Sequence, residues 1–216
     1  MGAFMPQARA DVYLGREGGL EGSATVDNST TYAAPQANSW TKDNATVTIA
    51  DNDTSPATWQ NTAFTSQIGT FTAEFDAIPG QANMDGVIGL SLGAADAYTD
   101  LAAIVRFNNT GTIDVRNGTT YGAAATVSYN TGVSTGTSYH FRMIVNVTAH
   151  TYSVYVKPQG TATETALATN YAFRTEQSGV TALNNSGQFA GIGSQQVQDL
   201  TITPTVSPLS ARRSTA

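Results

Sequence analysis

The sequence predicts an all-β protein folded as a two-sheet antiparallel sandwich, and three observations predict it. The first is the stretch 139–156. Tyr139, Phe141, Met143, Val145 and Val147 alternate there with His140, Arg142 and Asn146, and after a polar turn at 148–151 the alternation resumes at Tyr152, Val154 and Val156. Strand side chains point alternately to opposite faces, so this is an antiparallel pair with one buried and one polar face. The second is a series of about ten or more short runs of this kind separated by turn residues, the spacing of a two-sheet sandwich. The third is the lack of any window of about ten residues with an apolar stripe at helical spacing. A length of 216 residues suits one large β domain.

Taken in order, Asn44 to Ala50 places Val47 and Ile49 on one face. Phe71, Ala73, Phe75 and Ala77 alternate with Thr70, Thr72, Glu74 and Asp76. Val87 to Leu92 is a continuous apolar run, expected of a central strand. Ala102 to Phe107 and Thr112 to Arg116 flank the turn Asn108-Asn109-Thr110-Gly111. Asn117-Gly118 is a two-residue hairpin signal, because both positions of such a turn favour positive φ. Short strands are expected at Thr126–Tyr129, Tyr171–Arg174, Phe189–Ile192 and Val197–Thr203. Residues 1–22, with Pro6 and five glycines, read as an extended arm; 23–203 form the sandwich; 204–216, with Pro204 and Pro208, read as a tail.

Composition excludes some functions. Net charge is −6, so a nucleic-acid partner, which needs a basic footprint, is not expected. There is no cysteine, hence no disulfide and no thiolate metal site. No apolar run is long enough to span a membrane as a helix, and the N-terminus lacks the apolar core of a secretory signal. The two end segments hold Arg9, Arg16, Arg212 and Arg213, while the acidic charge lies mainly between them.

Residues 104–118 (I-V-R-F-N-N-T-G-T-I-D-V-R-N-G), 137–156 and 197–203 (V-Q-D-L-T-I-T) together resemble the concanavalin A-like, laminin-G-like jelly rolls. The resemblance covers roughly residues 40–203 and implies a jelly-roll sandwich. Its members include lectins, carbohydrate-binding modules, glycanases, alginate lyases and virion surface domains, so the fold alone does not choose a function.

Several constellations follow. Glu74-Phe75-Asp76 puts two carboxylates on one strand face, as glycoside hydrolysis requires. It is similar to the Glu-x-Asp-x-x-Glu of glucanases in this superfamily, but the third acid is missing. Arg174-Thr175-Glu176 and Tyr155-Val156-Lys157 are similar to parts of the alginate-lyase motifs, whose Gln-x-His is absent. His140 shares the polar face with Arg142 and has the chemistry of a general acid or base, whereas His150, in the hairpin turn, is expected to be solvated. The cofactor that the acidic turn at 51–53 suits is calcium. Asp51-Asn52-Asp53 offers hard oxygen ligands in a turn, Asp27 and Asp199 would join them across the sandwich edge, and the same residues suit a plain turn.

A saccharide surface is assembled from aromatics in or near loops, Trp40, Trp59, Tyr98, Tyr121 and Tyr129, with Arg106, Asn108, Arg116, His140 and Arg142 supplying hydrogen bonds from one concave sheet.

With the acid triad and the Gln-x-His both incomplete, the expectation is a non-catalytic protein. A Met-initiated chain with no signal and no cysteine suggests a virion or other extracellular setting: a particle-surface decoration or fibre component with a lectin-like sandwich. Its partners would be copies of itself or other particle proteins, and polysaccharide. The arm would hold neighbours through Phe4, Met5, Arg9, Tyr13, Leu14 and Arg16. The alternative is a carbohydrate-binding module of a secreted polysaccharide-degrading enzyme.

Overall fold

A computed structural model describes residues 59–130 and 136–205, together with the backbone of two strands at 23–27 and 46–50. The strands are β1 (Ser23–Asp27), β2 (Thr46–Ala50), β3 (Gln60–Gln67), β4 (Thr70–Pro79), β5 (Asp85–Ser91), β6 (Leu101–Phe107), β7 (Ile113–Asn117), β8 (Thr120–Gly122), β9 (Tyr139–Asn146), β10 (Thr151–Pro158), β11 (Thr165–Ala172), β12 (Leu183–Ile192) and β13 (Ser194–Pro204). They form a seven-stranded sheet, β1-β2-β13-β4-β9-β10-β11, and a six-stranded sheet, β3-β12-β5-β6-β7-β8. Pairing is antiparallel throughout except between β1 and β2, which run parallel. Helix among the described residues is limited to two short 3-10 turns, Tyr98–Asp100 and Thr175–Gln177.

The alternation read from β4 and β9 is the burial pattern found. Phe71, Ala73, Phe75 and Ala77 on β4 and Tyr139, Phe141, Met143 and Val145 on β9 are buried between the sheets. Phe75 stacks on Phe141 at 5.2 Å between ring centroids, and Phe107 of the facing sheet meets Phe141 edge-on at 5.9 Å. Offset and edge contacts of this kind add about 0.5–1.5 kcal/mol beyond the area they bury.

A second apolar layer lies outside the six-stranded sheet. Trp59, Val87, Ala95, Leu101 and Ile104 form it, with Phe189 and Tyr121 packed against it. Strand β5 is therefore covered on both faces, which is why its sequence reads as continuous rather than alternating. Gly89 and Gly187 allow this layer to approach closely: a Cβ on Gly187 would fall 2.8 Å from the Ala95 methyl. The loop carrying Ala95 is pinned by Asn61, whose amide donates to the Ala95 carbonyl (2.9 Å) and whose carbonyl accepts the Ala95 N–H (2.7 Å).

Tyr152 clips the two sheets together. The β6–β7 ladder ends at Val105 and Val115. Beyond it the Tyr152 hydroxyl accepts the Ile104 N–H at 3.1 Å and donates to the Arg116 carbonyl at 2.5 Å.

Several expectations are corrected. Thr126–Tyr129 is not a strand; Ser128 makes one isolated bridge to Thr112. The hairpin turn falls on Gly118-Thr119, since Asn117 pairs with Thr120. Strands β3 and β11 exceed expectation because they are sheet edges, where few large apolar residues are needed and the periodic signal is weak. His150 is not simply solvated: its Nε2 lies 2.8 Å from the Val180 carbonyl and its ring meets Phe173 edge-on. Residues 1–22 and 206–216, and with them Phe4, Met5, Arg9, Tyr13, Leu14 and Arg16, lie outside the described residues, as do Trp40, Asp51 and Asp53.

Candidate functional site

The outward face of the seven-stranded sheet carries two cross-strand rows. Thr201, Glu74, Arg142 and Tyr155 are successive partners on β13, β4, β9 and β10. One step along, Gln198, Asp76, His140 and Lys157 are successive partners on the same strands. Strand parity dictates this, because the intervening residues 75, 141 and 156 are the buried ones.

Between the two rows β13 spends two residues, Asp199 and Leu200, where β4 spends one, so the strand bulges. Asp199 has φ of 56°, a conformation that asparagine and aspartate tolerate better than most residues. The bulge lets Gln198, Asp199 and Thr201 all line one cleft. The opposite wall is the turn after β10, Pro158 to Thr161, held by the Gln159 N–H on the Ser138 carbonyl at 2.7 Å. Glu74, Asp76, His140 and Lys157 form its floor, and the cavity measures about 460 Å³, within the range of small-ligand sites.

His140 is the centre of the cleft's charge. Its Nδ1 lies 2.6 Å from Asp76 Oδ1 and its Nε2 lies 3.5 Å from Glu74 Oε1. The two carboxylates hold the ring's orientation from either nitrogen. Beside the Asp76–His140 pair, Lys157 supplies positive charge and the Thr161 and Thr201 side chains supply hydroxyls. Beside it, Arg142 makes a bidentate pair with Glu164 and lies over the Tyr155 ring at 4.1 Å. That hydrogen bond holds the Glu164 carboxyl below its ordinary value.

The remaining candidates do not share this face. Arg106 and Arg116 lie on β6 and β7 of the other sheet, so the single concave surface expected from the sequence divides into two faces of the sandwich. Asn108 is buried and organises its turn: its Oδ1 accepts the Thr110 and Thr112 N–H groups. Tyr129 is buried; its hydroxyl donates to the Asn108 carbonyl, and burial raises its pKa to about 12. Trp59 is 8% exposed and belongs to the outer apolar layer, while Tyr98 is 39% exposed. Tyr121 lies under two guanidinium groups, Arg106 at 4.0 Å and Arg116 at 4.9 Å.

Of the calcium candidates, only Asp199 has a described side chain, and it lines the cleft. Among the described residues no group of three or more His, Asp or Glu is arranged to hold a metal ion. Sequence reasoning named Lys157 only within a lyase-like Tyr-x-Lys and missed Gln159, Thr161 and Glu164 as site residues. The parity of Lys157 with Tyr155 was the available signal; nothing local marks Glu164, which reaches Arg142 from a different strand.

No family model matches the chain. Among curated proteins, a gellan lyase from a Bacillus species is 30% identical over 129 residues, covering 59% of this chain and 5% of that protein. Among solved structures, a GH131 beta-glucanase catalytic domain from Podospora anserina superimposes with TM-score 0.49 at 11% identity, covering 75% of this chain and 72% of the other. Arcelin-5, a lectin-like defense protein from Phaseolus vulgaris, gives TM-score 0.42 at 10% identity, covering 68% and 76%.

The two sheets form an all-β sandwich, the fold class the sequence predicts. The proteins it resembles are lectins and carbohydrate-active enzymes. The expectation of a non-catalytic protein is contradicted by the curated relative, which is named a gellan lyase.

Proposed function

We propose that this chain is a polysaccharide-engaging sandwich domain of an extracellular carbohydrate-active enzyme, with sugar units seated in the cleft between β13, β4, β9 and β10. The carrying observation is the Asp76–His140–Glu74 array in a cleft of about 460 Å³, flanked by Lys157 and the bulged Asp199. A small cavity lined by convergent polar groups, with hydroxyls, amides and both signs of charge, has the chemistry that recognises sugar hydroxyls. The relative named for gellan cleavage supports the same reading, although the chain spans only 5% of that protein. This reading follows the alternative expected from the sequence, which the gellan-lyase relative supports better than the particle-surface reading drawn from a Met-initiated chain with no signal and no cysteine.

The test is affinity electrophoresis of the parent chain and His140→Ala through gels containing gellan or a β-glucan. Both polymers are also incubated with the chain and assayed for new reducing ends and for unsaturated products. Retention of the parent by at least one polymer, reduced at least about tenfold in His140→Ala, supports the cleft. Cleavage lost in His140→Ala adds chemistry to it. A parent chain retained by neither polymer and cutting neither, or a His140→Ala variant indistinguishable from the parent, overturns the reading.

A further inference from the structure

We infer that the outer face of the six-stranded sheet is a second saccharide surface, selective for a polymer bearing carboxylates, with Arg116 and Tyr121 as its anion-recognising end. The inference rests on the polysaccharide reading above and names the sugar class; it concerns the opposite side of the sandwich from the cleft.

Arg106, Arg116 and Arg174 all act electrostatically on Tyr121. Arg106 is matched by a bidentate pair to Asp114, at 2.9 and 2.7 Å. Arg174 is matched by Glu176 at 3.0 Å. Arg116 has no carboxylate within ion-pair distance among the described residues. Its Nε donates to the Gly118 carbonyl at 2.9 Å, and its guanidinium lies over the Tyr121 ring. A guanidinium fixed at its Nε and by stacking has lost its conformational freedom before any ligand arrives. It presents its remaining N–H groups in a fixed fork, the geometry that takes a carboxylate. This fork stands out on a chain whose net charge is −6.

The face continues in an apolar direction. Arg106 is the cross-strand partner of Val87, and Val87 of Phe189. Phe189 is half-buried, stacks on Trp59 at 5.0 Å and meets the exposed Tyr98 edge-on at 5.3 Å. From Phe189 on β12 to Tyr121 on β8 is four strand spacings, about 19 Å, long enough for several sugar rings. The exposed Tyr98 ring suits the C–H groups of a pyranose at one end, and the guanidinium suits an acidic substituent at the other. Burial pushes the Tyr121 phenol up, so it stays a neutral hydrogen-bond donor beside that anion.

The test compares polygalacturonate with the same polymer after chemical reduction of its carboxylates, measuring affinity for the full chain, Arg116→Gln and His140→Ala. Arg116→Gln should bind polygalacturonate about tenfold more weakly, the loss expected of one charge-assisted fork, and should bind the reduced polymer like the parent. His140→Ala should weaken both polymers together. If Arg116→Gln alone has its effect while His140→Ala has none, the cleft reading fails and this one stands. Arg116→Gln binding polygalacturonate as tightly as the parent, or losing both polymers equally, overturns the inference. Should Arg116→Gln fail to fold, galacturonate oligomers titrated into the isotope-labelled parent decide: shifts at the Arg116 Nε–H support it, and shifts confined to the cleft overturn it.

Discussion

At the residue scale, Tyr152 and Glu164 show how differently one polar contact acts inside and at the surface. The Tyr152 hydroxyl is fully buried and replaces the ladder hydrogen bonds between Ile104 and Arg116. Burial pushes its pKa well above the ordinary tyrosine range, so it does not titrate under working conditions. Tyr152→Phe leaves a buried N–H and a buried carbonyl without this partner, and we expect a loss of about 1–3 kcal/mol by denaturant unfolding. A change within error would show that water fills the gap. Glu164, by contrast, is about one quarter exposed with Arg142, so its pair contributes under about 1 kcal/mol. Its folded pKa is lowered, chiefly by the Arg142 hydrogen bond. The contribution is therefore present above the unfolded carboxyl value and lost as pH falls through the folded one. The small Tm gap between the parent and Glu164→Gln at about pH 7 should close by about pH 3; a gap that widens in acid would reverse the sign assigned here.

At the element scale, turns and bulges set what the strands present. Gly118 and Gly111 both hold positive φ, 55° and 81°. An added Cβ at Gly118 meets only Thr175 Oγ1 at 3.7 Å, whereas at Gly111 it would run into the Asn130 amide. Gly118→Ala should therefore cost about 1–2 kcal/mol, the backbone penalty alone, and Gly111→Ala distinctly more. Equal losses in thermal unfolding would show that Asn130 moves aside freely. The Asn117-Gly118 signal located this hairpin within one residue, because glycine's freedom at positive φ is written into the sequence. The β13 bulge was not legible. Its two extra-ladder positions, Asp199 and Leu200, continue the sequence without a glycine, and only pairing with β4 reveals that one partner residue faces two.

At the scale of the whole molecule, parity along a strand states which residues share a side but not which sheet the strand joins. That is why β4 and β9 were legible, with Glu74 beside Asp76 on the polar face of one strand and His140 beside Arg142 on that of the other. It is also why Arg106 and Arg116 were wrongly pooled with His140 and Arg142: strand order comes from pairings of long sequence separation that no local pattern encodes. The resulting asymmetry has a consequence for stability. The seven-stranded sheet turns charged rows outward, whereas the six-stranded sheet bears a second apolar layer under Trp59 and Leu101. Phe141 stands in the inter-sheet core, so Phe141→Ala should cost about 3–5 kcal/mol and lower the protection of both sheets. Trp59 stands outside that core, between edge strand β3 and the loop pinned by Asn61. Trp59→Ala should accelerate hydrogen exchange in β3 and residues 93–100 while β4 and β9 keep their protection, as expected of a local opening. Uniform loss of protection in Trp59→Ala would mean that the outer layer and the inner core melt as one unit, and that the aromatic face of the six-stranded sheet is part of the folding core rather than a surface resting on it.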